Sequence, residues 1–300
     1  MSRFKKVAVL KGGISSEREV SLRSGAAIAK GLREAGYDVL EVDLQSQSLD
    51  LPSHIDAVFV ALHGTFGEDG GIQELLTQAK IPFTGSDAAS CRIAFDKVST
   101  REALIKAGIP VAKGELLTDS NERTLSLPVV VKPPCEGSSV GCHLVLKEEE
   151  WDAAYIDAAH YSGTALVETY IPGRELTVGI LDNQALPVVE ICTATTWYDF
   201  DAKYVTGETT YLVPAPLTDT ETKMLQQWAQ KTAIALGARG FSRVDFRFSP
   251  EGKPYVLELN SIPGFTATSL LPKAAAAAGI SFSELCAQIM EMATLPSSTT

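Results

Sequence analysis

The chain contains no apolar run near the ~18 residues that a membrane-spanning helix requires. Its longest candidate, residues 274–280, is short and rich in alanine. Membrane spanning is therefore excluded. Basic residues are few and scattered: 26 Lys and Arg against 37 Asp and Glu give a formal charge of -11. No Lys/Arg stretch exceeds a pair, which argues against an extended phosphate-neutralising surface and against nucleic acid as a partner. Cysteine is also sparse. Cys91, Cys135, Cys142, Cys192 and Cys286 are odd in number and form no C-x-x-C, so they suggest buried thiols rather than a disulfide framework or a zinc site. Neither G-x-G-x-x-G nor G-x-x-x-x-G-K-[ST] occurs, so two common nucleotide fingerprints are absent. After Arg3, Lys5 and Lys6 only four apolar residues precede Lys11-Gly12-Gly13, too few for a signal-peptide core, and a cytoplasmic protein is expected.

What remains is an ordinary globular composition, 45% hydrophobic and 21% charged over 300 residues, enough for two or three domains. Residues 6–10 read as a buried strand, followed by a Gly-Gly turn and a helix whose Ser16 and Glu19 have capping-box spacing. Residues 38–42 return as a strand, completing a βαβ unit. A further apolar strand, 57–62, runs into His63-Gly64-Thr65-Phe66-Gly67-Glu68-Asp69-Gly70-Gly71. Loops at the carboxyl ends of parallel strands are where open sheets bind ligands. Glu17 and His63 both fall at that edge, although taken singly Glu17 could merely complement a helix dipole and His63 be a satisfied structural residue.

Residues 96–107 have a helical pattern that stops at Gly108-Ile109-Pro110. A strand ending at Lys132 and another at 143–146 enclose Pro133-Pro134-Cys135-Glu136-Gly137-Ser138-Ser139-Val140-Gly141. That small-residue tip could cover a polyphosphate with its N–H groups and hydroxyls, or be a mobile surface hairpin. Residues 165–167 form a strand leading to Glu168, 175–181 and 186–191 form a hairpin, and 219–236 form a helix. Between them, residues 197–211 have no clean period, as is usual for a long loop that is either functional or disordered.

The last hairpin, 242–248 and 254–260, is the most informative. Alternation puts Arg243, Asp245 and Arg247 on one face, and Glu258 and Asn260 opposite Tyr255, Leu257 and Leu259. If Phe248 pairs with Tyr255, Asp245 faces Glu258 and Arg243 faces Asn260. Opposed carboxylates repel unless a positive group lies between them. Two carboxylates and an amide oxygen suit Mg²⁺. The alternative is that Arg243 and Arg247 neutralise the pair, and a one-residue change of register would separate it.

Taken in order, these segments resemble the D-alanine-D-alanine ligase family of the ATP-grasp superfamily over nearly the whole chain. The resemblance rests on Gly12-Gly13-Ile14-Ser15-Ser16-Glu17-Arg18-Glu19-Val20-Ser21, Ala61-Leu62-His63-Gly64, Gly67-Glu68-Asp69-Gly70 and Asp96-Lys97. It continues with Val131-Lys132-Pro133, Glu136-Gly137-Ser138-Ser139-Val140-Gly141, Tyr198-Asp199-Phe200-Asp201-Ala202-Lys203-Tyr204, Arg243-Val244-Asp245 and the run from Glu258 to Thr266.

The resemblance implies an α/β multidomain ATP-grasp fold. Its parts would be an N-terminal preATP-grasp open parallel-sheet domain (1–88), a central ATP-grasp subdomain (89–180) and a C-terminal ATP-grasp subdomain (181–300). By the same resemblance, Lys97, Lys132, Ser138 and Ser139 meet the phosphates of ATP, with Lys203 reaching the transferred one. Glu168, Tyr170 and Ile171 line the adenine, Trp197 contacts it from the loop, and Glu175 holds the ribose. Asp245, Glu258 and Asn260 bind two Mg²⁺ ions, with Mn²⁺ as a substitute. Glu17 takes the ammonium of the first D-alanine beside His63, and Ser269 and Leu270 take the carboxylate of the second. Arg243 and the Gly264 N–H stabilise the oxyanion, and Ser138 and Tyr204 form a chain with Glu17 that closes the site. Tyr204 further implies an amine rather than a hydroxy-acid acceptor. The activity implied is ATP-dependent joining of two D-alanines for peptidoglycan precursors, in a homodimer. Another ATP-grasp carboxylate ligase, such as one using D-lactate, or a non-catalytic nucleotide-binding protein are the alternatives. Thr169, where many members carry lysine, and Cys135 and Cys142 beside the phosphate loop depart from the family pattern.

Overall fold

The computed structural model describes residues 2–193 and 209–296. Its first sheet is parallel, in the order β2-β1-β3, from β1 (Lys6–Gly12), β2 (Asp38–Leu44) and β3 (Ala57–Val60). Helix α1 (Arg18–Glu34) makes the crossover, and α2 (Gly71–Gln78) follows the glycine-rich loop after β3. The Ser16–Glu19 capping box does not form. The helix begins one residue later than that spacing implies, with Glu17 at the N-cap and no side-chain cap, while the Glu17 N–H donates to Ser15 Oγ at 3.2 Å.

The helix expected over 96–107 is the second of a pair, α3 (Ala88–Phe95) and α4 (Lys97–Lys106). Asp96 separates them in extended conformation, and its carboxylate caps α4 by accepting the Val98 N–H at 2.9 Å.

The second sheet is antiparallel, β4-β7-β5-β6, from β4 (Gly114–Leu117), β5 (Val129–Lys132), β6 (His143–Val145) and β7 (Ala165–Thr169), backed by α5 (Trp151–Ala159). The third runs β11-β10-β8-β12-β13, with β9 paired to β8. Its members are β8 (Arg174–Leu181), β9 (Gln184–Ala185), β10 (Val189–Cys192), β11 (Thr210–Leu212), β12 (Phe241–Phe248) and β13 (Pro254–Asn260), with α6 (Asp219–Ala235) packed behind. The chain ends in α7 (Leu270–Ala277) and α8 (Phe282–Glu291), which share a core with α1 and the first sheet. There the rings of Phe59, Phe241 and Phe265 meet with centroids 5.8 to 5.9 Å apart, joining β3 to β12 and to the loop after β13.

The β12–β13 register differs from simple alternation at one end. Phe248 pairs with Pro254 and Arg247 with Tyr255, whereas Asp245 still faces Glu258 and Arg243 faces Asn260. The shift falls between Asp245 and Phe246, so Leu257 is the extra residue of a β-bulge. Beyond it the alternation changes phase: Val256 and Leu259 are buried in the core, while Leu257 faces the same side as Glu258.

Candidate active site

The second and third sheets face each other across a cavity of ≈ 650 Å³, closed at one end by loops of the first sheet. Every predicted site residue within the described segments lines it: Glu17, His63, Lys97, Lys132, Ser138, Ser139, Glu168, Tyr170, Ile171, Glu175, Arg243, Asp245, Glu258, Asn260, Gly264, Ser269 and Leu270. Trp197, Lys203 and Tyr204 lie outside the described residues.

At the first-sheet end, Glu17 leaves the start of α1 and its carboxylate accepts from the Ser138 hydroxyl. The β5–β6 tip is thereby tied to a residue 121 positions earlier in the chain. Ser138 and Ser139 both have positive φ, 51° and 60°, a conformation that costs a non-glycine residue about 1–3 kcal/mol and concentrates at ligand clamps. At Gly137 a Cβ would lie 3.0 Å from Glu17 Oε2, so a larger residue would crowd that carboxylate by a few tenths of an ångström. Glu68, to which no role was assigned from sequence, accepts the Gly64 N–H at 2.8 Å. Burial, and then the nearby Glu17 charge, push its carboxyl well above the ordinary range. The glycine-rich loop was legible as a ligand loop, but a single acidic residue within it gave no sign of facing another carboxylate.

His63 has both ring nitrogens engaged by protein: Nδ1 lies 3.0 Å from the Ile262 carbonyl and Nε2 3.1 Å from Ser24 Oγ. Burial lowers its pKa to about 4, outweighing the carbonyl contact, and Arg243 lowers it further. The ring is neutral at physiological pH.

Along the second sheet, Lys132 ends β5 and meets Glu168 Oε2 at 2.6 Å, while Arg101 from α4 takes Glu168 Oε1 and the Ala112 carbonyl. Burial alone would raise the Glu168 pKa, but Lys132 and Arg101 together hold it below the ordinary value. Lys132 is likewise raised despite burial, chiefly by Glu168. Lys97 begins α4 and donates to the Glu136 carbonyl of the tip. Burial lowers its pKa, with Glu258 opposing and Lys132 reinforcing. Two lysines at the base of a small-residue tip can neutralise a polyphosphate.

Arg247 does not neutralise the carboxylate pair, as sequence alternation allowed. Its Nε donates to the Ile171 carbonyl at 3.0 Å, Nη2 to the Tyr170 hydroxyl at 3.2 Å, and Nη1 meets Glu175 Oε2 at 3.4 Å. One guanidinium thus organises the edge that Tyr170, Ile171 and Glu175 present. Leu257 adds an apolar wall to the same cavity, which alternation had assigned to the opposite face.

Asp245 is held by Arg243, Nε to Oδ1 at 2.8 Å and Nη2 to Oδ2 at 2.7 Å, and by Thr177 Oγ1 at 2.6 Å. The Asn260 amide bridges to Asp245 Oδ2 at 3.0 Å and Glu258 Oε1 at 3.5 Å. A half-turn of that amide would put its oxygen between the carboxylates, giving the hard-oxygen donor set that Mg²⁺ prefers. At the far end, Ser269 is the N-cap of α7. Its Oγ accepts the Thr266 N–H at 3.0 Å rather than capping the helix, so the first N–H groups of α7 remain for an anion.

Two sheets gripping one cavity, with Lys132 on one beside Lys97 of α4 and a carboxylate pair on the other, define an ATP-grasp ligase. Residues 98–291 match the family model described as D-ala D-ala ligase C-terminus, and 41–86 match that described as D-ala D-ala ligase N-terminus. The D-alanine-D-alanine ligase of Methylacidiphilum infernorum is 44% identical over 289 residues, covering 96% of this chain and 95% of the relative. That of Anaeromyxobacter sp. strain K is 44% identical, covering 97% of each. Among solved structures, the Bacillus anthracis D-alanine-D-alanine ligase complexed with ATP aligns with TM-score 0.83 at 30% identity, covering 96% of this chain and 97% of that one. The VanG D-Ala:D-Ser ligase of Enterococcus faecalis aligns with TM-score 0.84 at 28% identity, covering 97% and 99%. The chain belongs to the D-alanine-D-alanine ligase family.

Proposed function

We propose that this chain joins two D-alanines into D-alanyl-D-alanine, consuming ATP and releasing ADP and phosphate, as a step of peptidoglycan precursor synthesis. The observation that carries the mechanism is the Glu17–Ser138 bond, which draws an ammonium-binding carboxylate and the phosphate-covering tip into one cavity.

ATP lies between the second and third sheets, its base against Leu257, Tyr170 and Ile171, with Glu168 and Trp197 at its edge and its ribose at Glu175. Lys97 and Lys132 neutralise the phosphates, and Ser139 and Lys203 add contacts. Asp245, Glu258 and Asn260 would hold Mg²⁺, two ions in all with Mn²⁺ as a substitute, and the bound metal would neutralise charge on the phosphate oxygens. The carboxylate of the first D-alanine, anchored through its ammonium by Glu17, attacks the γ-phosphorus. The bond to ADP breaks and an acyl phosphate forms. The amine of the second D-alanine, held by its carboxylate at Ser269 and the Leu270 N–H, then attacks the carbonyl carbon. The tetrahedral oxyanion is met by Arg243 and the Gly264 N–H. The C–O bond to phosphate breaks, the proton of the attacking amine leaves with the phosphate as HPO4²⁻, and dipeptide remains. By the family resemblance Tyr204 would join the Ser138–Glu17 pair, a contact that would keep water from the acyl phosphate.

The three segments 1–88, 89–180 and 181–300 serve as N-terminal, central and C-terminal units of a cytoplasmic homodimer, except that β8 at the end of the central segment pairs into the third sheet and α7 and α8 pack against the first. Among the described residues no helix is long and apolar enough to cross a membrane. ADP release with ATP and Mg²⁺ tests the reading when D-alanine alone, L-alanine alone, and D-alanine with D-lactate or D-serine are compared. D-alanine-dependent turnover with dipeptide as product at neutral pH is expected. Release with neither alanine isomer would overturn it. A mixed product with D-serine would instead favour joining D-alanine to D-serine, the activity named for the Enterococcus faecalis neighbour.

A further inference from the structure

Ser24 lies inside α1, fully buried, where a serine hydroxyl must find partners away from solvent. Its partners lie outside its own helix: His63 Nε2 at 3.1 Å and the Phe265 N–H at 3.1 Å. The direction of each bond follows from chemistry. The Ile262 carbonyl only accepts, so His63 Nδ1 carries the proton and donates to it at 3.0 Å. The bare Nε2 then accepts from the Ser24 hydroxyl, whose oxygen accepts from Phe265. This one-way chain starts at residue 265 and ends at residue 262, enclosing Pro263 and Gly264 between two fixed points.

We propose that Ser24 and His63 are positioning residues that fix the Gly264 peptide for the amine-attack step. Gly264 lines the cavity, and among the described residues nothing accepts its N–H. Its neighbours are held on both sides. Ile262 is buried, and the Phe265 ring is gripped by Phe59, Phe241 and Phe282. The side-chain packing fixes where Phe265 sits, and the Ser24 bond fixes how its peptide is turned. A neutral imidazole is required throughout, because a protonated Nε2 could not accept from Ser24, and the buried ring stays neutral at physiological pH.

The proposal rests on the reading that the Gly264 N–H and Arg243 receive the oxyanion. The oxyanion becomes tetrahedral only in the second step, so the two steps should separate. In Ser24→Ala, acyl phosphate formation is read by positional isotope exchange in ATP labelled with ¹⁸O at the γ-phosphate and its bridge, with D-alanine present. Dipeptide formation is read alongside. Exchange should stay within about twofold of wild type while dipeptide kcat falls roughly 10- to 100-fold, the effect of misplacing one oxyanion donor. KM for ATP should be unchanged. Affinity for a phosphinate analogue, whose tetrahedral phosphorus replaces the carbonyl carbon, should fall by a similar factor. Unchanged dipeptide turnover, or equal loss in both steps, would overturn the proposal. A wild-type protein that binds the phosphinate no better than D-alanine would remove the oxyanion site itself, and the proposal with it. If Ser24→Ala does not fold, Ser24→Cys carries the same expectation, since a thiol is a much weaker donor to His63 and acceptor for Phe265.

Discussion

Glu168→Gln separates a packing role from an electrostatic one at the Arg101–Glu168–Lys132 cluster. The three side chains are 11%, 8% and 10% exposed, so little water screens them. The glutamine keeps the volume but only one of the two acceptors, its NH2 group now facing one of the cations, and it leaves two buried positive charges against a neutral amide. Removing one partner of a buried ion pair costs about 3–5 kcal/mol, because the remaining charge has lost its compensation. Here the remainder is two like charges, so the upper part of that range applies. Arg101→Met behaves differently. It leaves Glu168 and Lys132 as a neutral pair, and the expected loss is that of a charged hydrogen bond, about 1.5–3 kcal/mol.

Denaturant unfolding followed by Trp151 fluorescence reads this directly, because Trp151 is buried against the second sheet. The pH dependence supplies a second check. The folded Glu168 carboxyl sits below its ordinary value, so its contribution is fully present above the ordinary glutamate range and fades as pH falls through the folded value. The gap between wild type and Glu168→Gln should therefore close on acidification. A cost below about 1 kcal/mol at neutral pH, or Arg101→Met as damaging as Glu168→Gln, would refute the electrostatic reasoning.

His63 gives an acid slope of its own. Its folded pKa of about 4 lies below the unfolded 6.5, so the unfolded chain binds the extra proton between those values. Stability then falls as pH drops through that window, by roughly 3 kcal/mol at most, and His63→Asn should lack this part of the slope in denaturation series at pH 7, 6 and 5. Glu258→Gln should lower kcat at least about 100-fold with little change in unfolding midpoint, since among the described residues its one side-chain hydrogen bond is the 3.5 Å contact with Asn260. Wild-type-like turnover at ordinary magnesium levels would defeat the metal assignment. Gly173→Ala should destabilise by about 1–3 kcal/mol, because φ is 123° and a Cβ would sit 2.1 Å from the Phe248 carbonyl oxygen; an unfolding midpoint equal to wild type would contradict this.

Strands, their order along the chain and the small-residue hairpin tip were legible because each is a local pattern: an apolar run, a turn, a cluster of small residues. The ends of elements were less so. Ser16 and Glu19 have ideal capping spacing, yet Glu17 takes the N-cap, and a local pattern cannot weigh a Ser138 hydroxyl 121 residues away. The pairing of Arg101 with Glu168 was opaque for the same reason. The resemblance points to Glu168 as a neighbour of the adenine, but no local pattern joins it to Arg101, 67 residues away.

The β12–β13 hairpin shows how a correct conclusion can stand on an incorrect register. Strict alternation pairs Phe248 with Tyr255 and so Asp245 with Glu258; the strands pair Phe248 with Pro254, and the carboxylates still meet. They meet because the bulge at Leu257 adds one residue between turn and site, which compensates the one-residue offset at the turn. Without the bulge, the pairing at the turn would place Asp245 opposite Leu257, and Glu258 would change faces. With it, Leu257 and Glu258 are both on the cavity side, so one irregularity supplies an apolar wall and the partner carboxylate together. A period-two reading has no means of seeing an inserted residue. The repulsion between two opposed acids was the sequence-level sign that something beyond strand pairing determines this position.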